Sequence, residues 1–142
     1  MRTTDIAASE IAARLRLSAT RLARRLRQES GAGLSPSQQS ALAVIANHGP
    51  LTLGALAEHE RVAPPSITKV VSKLEADRLV TRSPDPADRR ICRVAISPEG
   101  EALLEEARRR KTAWLAARVN ELDPERQRRL ADALDVLDEL II

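Results

Sequence analysis

Apolar positions along the 142-residue chain change their period from one segment to the next. Between Pro64 and Asp77, Ile67, Val70, Val71 and Leu74 recur at i, i+3, i+4 and i+7, one stripe of an amphipathic helix. From Ile91 to Ile96 the period drops to two. Cys92, Val94 and Ile96 alternate with Arg93 and Ala95, as in a half-buried strand. Two more helical stripes lie at the ends of the chain. Ile11, Leu15, Ser18, Leu22 and Leu26 form the first; Leu130, Leu134, Leu137 and Ile141, widened by Leu140 and Ile142, form the second.

Proline marks three helix starts: Ser35-Pro36, Ser97-Pro98 and Asp123-Pro124. In each, a side-chain oxygen can cap exposed N–H groups, and proline fits the first helical position because its missing N–H has no partner to lose there. Gln38, three residues after Ser35, completes a capping box. These signals predict helices at Asp5–Glu29, Pro36–Asn47, Thr52–Arg61, Pro64–Asp77, Pro98–Glu121 and Pro124 to the end. Strands are predicted at Val80–Ser83 and Ile91–Ile96. The fold class expected is mainly α with a small β-hairpin wing.

A short helix, a tight break at Arg61-Val62-Ala63 and a longer helix make the layout of a helix-turn-helix. Opposite the apolar stripe of the second helix lie Pro65, Lys69, Ser72, Lys73 and Ala76, a small, polar and positive face. A helix entering a DNA major groove about 12 Å wide needs such a face. Ser and Thr can bond bases or phosphates, and Lys reaches guanine edges or the backbone. Pro64 and Pro65 stiffen the helix start and leave its N-terminus to face a phosphate. A solvated amphipathic helix would show the same buried stripe, so the helix alone does not decide.

The hairpin that follows adds weight. Its connection carries Asp88-Arg89-Arg90, placed to put arginine into an adjacent minor groove. From Arg61 to Arg93, eight Lys/Arg stand against four acids, Glu75, Asp77, Asp85 and Asp88, a local +4 in a chain whose formal charge is +3. The excess charge is therefore expected to concentrate here. Candidate DNA contacts are Pro65, Ser66, Thr68, Lys69, Ser72 and Lys73 on the helix, with Arg89 and Arg90 on the hairpin.

The segment Pro64-Pro-Ser-Ile-Thr-Lys-Val-Val-Ser-Lys-Leu-Glu, then Leu79-Val80, Asp85-Pro-Ala-Asp-Arg-Arg and Val94-Ala-Ile-Ser-Pro-Glu-Gly100, resembles the MarR (multiple antibiotic resistance regulator) family of winged helix-turn-helix proteins. The resemblance covers nearly the whole chain. It implies a homodimer on a pseudo-palindromic operator in double-stranded DNA, usually repressing transcription until a small-molecule inducer binds. It also implies a recognition helix at Pro64–Asp77 and a wing at Pro84–Arg90. Arg90 matches the family's minor-groove arginine, and Asp88 would hold the wing by pairing with a nearby arginine. Two positions depart from the pattern: Arg78 stands where glycine is common, and Ala63 stands at the expected N-cap.

The organisation expected is one domain over 1–142. Within it, a DNA-reading lobe spans 35–97 and helical dimerisation segments span 1–30 and 98–142. Pairing the chain ends of two copies would bury both terminal stripes. The core must be aliphatic, for the chain has no Phe or Tyr and one Trp, Trp114, read as core or as the lining of a ligand pocket. Cys92 alone cannot form an intrachain disulfide, which fits a reducing cytoplasm, and its alternation with Val94 points it inward rather than toward redox chemistry. His48 and His59 sit in different elements without metal-ligand spacing. No phosphate loop, metal motif or nucleophile–His pair suggests an enzyme or a cofactor, and no apolar run suggests a membrane. A winged-helix module that docks another protein, without direct DNA readout, is the alternative.

Overall fold

The computed structural model describes residues 7–142. Its elements are α1 (Ala8–Glu29), α2 (Pro36–His48), β1 (Leu51–Thr52), α3 (Leu53–Glu60), α4 (Pro64–Ala76), β2 (Val80–Pro84), β3 (Cys92–Ile96), α5 (Pro98–Asn120) and α6 (Pro124–Ile141). The expected start of the first helix, Asp5, lies outside the described residues; α1 begins after Ala7, whose backbone is extended. Two compact units share the chain. Gly31–Arg108 forms one, and the terminal segments up to Ser30 and from Arg109 form the other. The expected lobe at 35–97 falls inside the first unit.

The proline-marked starts are capped as their side chains dictate. Ser35 Oγ accepts the Gln38 N–H at 3.2 Å, and Gln38 Oε1 accepts the Ser35 N–H at 3.0 Å. Asp123 Oδ1 accepts the Arg126 N–H at 2.8 Å. Ser97 does more. Its Oγ accepts from Gly100 N at 3.0 Å and donates to the Arg78 carbonyl at 2.6 Å, tying the start of α5 to the turn after α4. Gly100 is needed at this join, because a Cβ there would collide with the Leu79 carbonyl oxygen.

In the Gly31–Arg108 unit, the largest fully buried side chains are Leu42, Ile45, Leu56, Val71, Leu74, Val80 and Val94, from α2, α3, α4, β2 and β3. Each such aliphatic group contributes about 1.5–3 kcal/mol by leaving water. Together they fix α4 against α2 and α3 without any aromatic ring.

The sheet has the order β1-β3-β2 and is antiparallel throughout. β1 pairs Leu51 with Val94 and Thr52 with Arg93. Two residues are too few to show a period, so the pattern of the sequence does not predict this strand. The β2–β3 hairpin runs from Val80↔Ile96 to Pro84↔Cys92, leaving Asp85–Ile91 as its connection. Only Val94 of β3 is fully buried; Cys92 and Ile96 are half-buried.

The helices of the terminal unit leave much of their apolar stripes exposed, with Leu15, Leu26 and Leu137 half-buried. Neither α1 nor α6 has a buried residue. Ile11 is 54% exposed, Leu134 52% and Ile141 81%. Trp114 is half-buried rather than core. The Arg25 and Arg118 guanidinium groups lie 5.3 and 5.5 Å from its ring centre, within cation–π range.

Candidate nucleic-acid interface

α4 presents the face that its period dictates. Ile67, Val71 and Leu74 are buried, while Pro65, Ser66, Thr68, Lys69, Ser72, Lys73 and Ala76 are exposed. Nothing larger than a lysine projects from that side. Lys69 has no ion-pair partner among the described residues. Lys73 Nζ lies 3.5 Å from Asp77 Oδ1, one turn on. Thr68 Oγ1 donates to the Pro64 carbonyl at 3.0 Å, which leaves the oxygen to accept.

At the start of α4 the N-cap is the expected one, but the backbone donors expected to face a phosphate are mostly lacking. Ala63 occupies the N-cap and caps nothing with its side chain. Pro64 and Pro65 carry no N–H, and the Ser66 N–H is bonded to the Ala63 carbonyl at 3.0 Å. The helix terminus therefore has few backbone donors for a phosphate, and the Ser66 hydroxyl is the donor at this end. Arg78 ends the helix at φ 63°, the left-handed region favoured by glycine, as its position in the family pattern implied.

The wing is built from two aspartates doing the same job in sequence. Asp85 Oδ1 accepts the Ala87 N–H at 2.7 Å, and Asp88 Oδ1 accepts the Arg90 N–H at 3.0 Å. Such Asx turns bend the chain without glycine. Each aspartate then takes an arginine. Asp88 receives Arg90 Nε and Nη2, both at 3.0 Å, a bidentate fork. Asp85 receives Arg93 Nε at 2.9 Å, with the Asp85 side chain only 9% exposed.

These bonds hold both carboxyls below the ordinary 3.8. For Asp85 the Ala87 N–H is the main cause, then Arg93; for Asp88 it is the Arg90 side chain, then the Arg90 N–H. Arg90 is pushed further above its ordinary value by Asp88. The nearby arginine expected for Asp88 is thus Arg90 itself. The fork leaves the Arg90 side chain 90% exposed, fixed in direction and charged at every physiological pH. Arg89 beside it is exposed, with no ion-pair partner among the described residues.

Three residues of this architecture escaped the sequence reading. Arg93 and Asp85 form the ion pair under the wing. Arg82, from β2, reaches α4 and joins helix to hairpin, with Nη2 3.2 Å from Ser72 Oγ. The available signal was an arginine at Arg82, two residues on from buried Val80 and so on the same strand face.

Charge is less localised than expected. α1 carries Arg14, Arg16, Arg21, Arg24, Arg25 and Arg27 against Glu10 and Glu29, which equals the +4 of the Arg61–Arg93 segment. The case for the interface therefore rests on geometry rather than on net charge. His48 and His59 do meet, with ring centres 4.6 Å apart and stacked at 22°. Among the described residues, no group of three or more potential ligands could hold a metal ion there or elsewhere. No described helix is long and apolar enough to cross a membrane.

A groove-sized helix face beside an arginine-tipped hairpin defines a winged helix-turn-helix of the DNA-binding kind. The MarR family model matches residues 34–92. An HTH-type transcriptional regulator of Mycobacterium leprae is 41% identical over 94% of both chains. Among solved structures, a transcriptional regulator of Pseudomonas aeruginosa superposes with a TM-score of 0.81 at 32% identity, covering 93% of this chain and 94% of that one. A MarR family protein of Bacillus stearothermophilus gives 0.75 at 25%, covering 94% of each. The chain belongs to the MarR family of DNA-binding transcriptional regulators.

Proposed function

We propose that two copies of the chain form a homodimer that reads a pseudo-palindromic operator and represses transcription in the cytoplasm until a small-molecule inducer intervenes. The observation that carries the DNA reading is the pairing of two surfaces. One is the exposed face of α4, bearing Pro65, Ser66, Thr68, Lys69, Ser72 and Lys73. The other is the wing, where Asp88 aims Arg90 into solvent beside Arg89. The dimer is supported by the exposed apolar residues of α1 and α6, among them Ile11, Leu22, Leu134 and Ile141, which a second copy would bury. Two recognition helices would then fall one DNA turn apart, roughly 34 Å. A bound dimer excludes other proteins from the same duplex, the simplest form of repression. For the inducer, a cleft of about 230 Å³ lined by Asn47, Ile96, Glu101, Leu104 and Arg108 has space for a small molecule.

Selection of bound sequences from random duplex DNA tests the proposal. The expected product is a two-fold site with half-sites about 10 base pairs apart. Recovery of no enriched sequence at low salt, with no small molecule present, would overturn the DNA reading in favour of a protein-docking module.

A further inference from the structure

The three-way contact of Arg82, Ser72 and Glu75 has no part in forming either element. α4 is already held by Ile67, Val71 and Leu74, and the hairpin by its ladder and the Asp85–Arg93 pair. Arg82 instead spans the two. Its Nη2 donates to Ser72 Oγ at 3.2 Å on the exposed face of α4. Its Nε lies 3.2 Å from Glu75 Oε2, close enough for ion pairing yet without the alignment of a hydrogen bond, and that nitrogen is shut off from water. The side chain as a whole is 27% exposed, so the attraction to Glu75 is only partly screened.

Resting on the DNA-binding reading, we propose that Arg82 is a positioning residue. It locks the recognition helix and the wing into one rigid reader, so that α4 and Arg90 reach their two grooves in register. A guanidinium suits the task because its planar fork can engage a hydroxyl and a carboxylate together, whereas a lysine offers one point charge. The bond also fixes the Ser72 hydroxyl as an acceptor toward Arg82, leaving its own proton to donate outward to a base or phosphate.

The test compares the full-length protein with Arg82→Ala and Arg82→Lys, checking each for wild-type helical content. One arm needs no DNA. Spin labels at Ala76→Cys and Ala87→Cys, in a Cys92→Ser background, report the helix-to-wing distance distribution. It should be narrow with Arg82 and broad in both variants; unchanged width in Arg82→Ala would overturn the proposal. The other arm measures affinity for the selected duplex against salt. Both variants should bind about tenfold more weakly, with the log–log salt slope unchanged, since no phosphate contact is lost. Full recovery in Arg82→Lys, or a slope lowered by about 0.9 in Arg82→Ala, would make Arg82 a plain charge on the DNA and overturn positioning. Wild-type protein that binds no duplex while the label distribution still broadens would instead refute the DNA reading and leave the lock standing.

Discussion

Asp85 receives the Nε–H of Arg93 at 2.9 Å while its other oxygen takes the Ala87 N–H, so one nearly buried carboxylate sets both the bend and the base of the wing. Asp85→Asn keeps the size and one acceptor but removes the charge that faces Arg93. Amide exchange at Ala87 and Ile91 should quicken by about tenfold, while exchange in α2 and α3 stays at the wild-type rate. Equal quickening everywhere would mean that the pair supports the whole unit rather than the wing.

Acid should release the wing before the core. Asp85 and Asp88 have folded values lowered below 3.8, so their contribution is fully present above the unfolded value of about 3.9. It is lost as pH falls through the lowered folded values. NMR shifts of residues 85–93 are expected to hold steady from pH 7 to about 4 and to move below it. A transition near pH 6 would contradict this assignment, for it would point to histidine.

Gly100 sits against the Leu79 carbonyl with no space for a methyl group. Gly100→Ala must push α5 away from the turn after α4 and strain the Ser97 bonds. Denaturant unfolding should show a loss of about 1–3 kcal/mol. Alanine is the better helix former, so a gain in stability would show that the join yields freely.

Arg78 at φ 63° gives the opposite sign. Arg78→Gly removes a left-handed strain of about 1–2 kcal/mol and adds chain entropy to the unfolded state. A net gain of about 0.5–1 kcal/mol is expected in the same unfolding assay. Because only its carbonyl bonds to Ser97, the side chain is not needed for that contact.

Lys69 projects from α4 without an ion-pair partner among the described residues. Lys69→Ala should weaken duplex binding and lower the log–log salt slope by about 0.9 if it neutralises one phosphate. Arg90→Ala should weaken binding with little change in melting temperature, since the Arg90 side chain is 90% exposed and Asp88 keeps its bond to the residue 90 N–H.

Much of this was legible in the residues themselves. The stripe of Ile67, Val71 and Leu74 located the recognition helix and its outward face, and Ser35, Ser97 and Asp123 marked helix starts because capping is local. Contacts between elements were not legible. Arg82 meets Ser72 across ten residues and Ser97 meets Arg78 across nineteen, and no periodicity records such partners. The burial that the size of Trp114 suggests is only partial for a related reason: its neighbours Arg25 and Arg118 are set by the packing of helices distant in sequence.

The Arg25–Trp114–Arg118 stack has a practical corollary. With no tyrosine or phenylalanine in the chain, this indole is the molecule's sole intrinsic fluorophore, and it lies outside the unit that carries α4 and the wing. Emission excited near the red edge therefore watches α1 and α5 alone. A spectral change on adding duplex would register strain relayed from the reading head into the terminal helices, with no label attached.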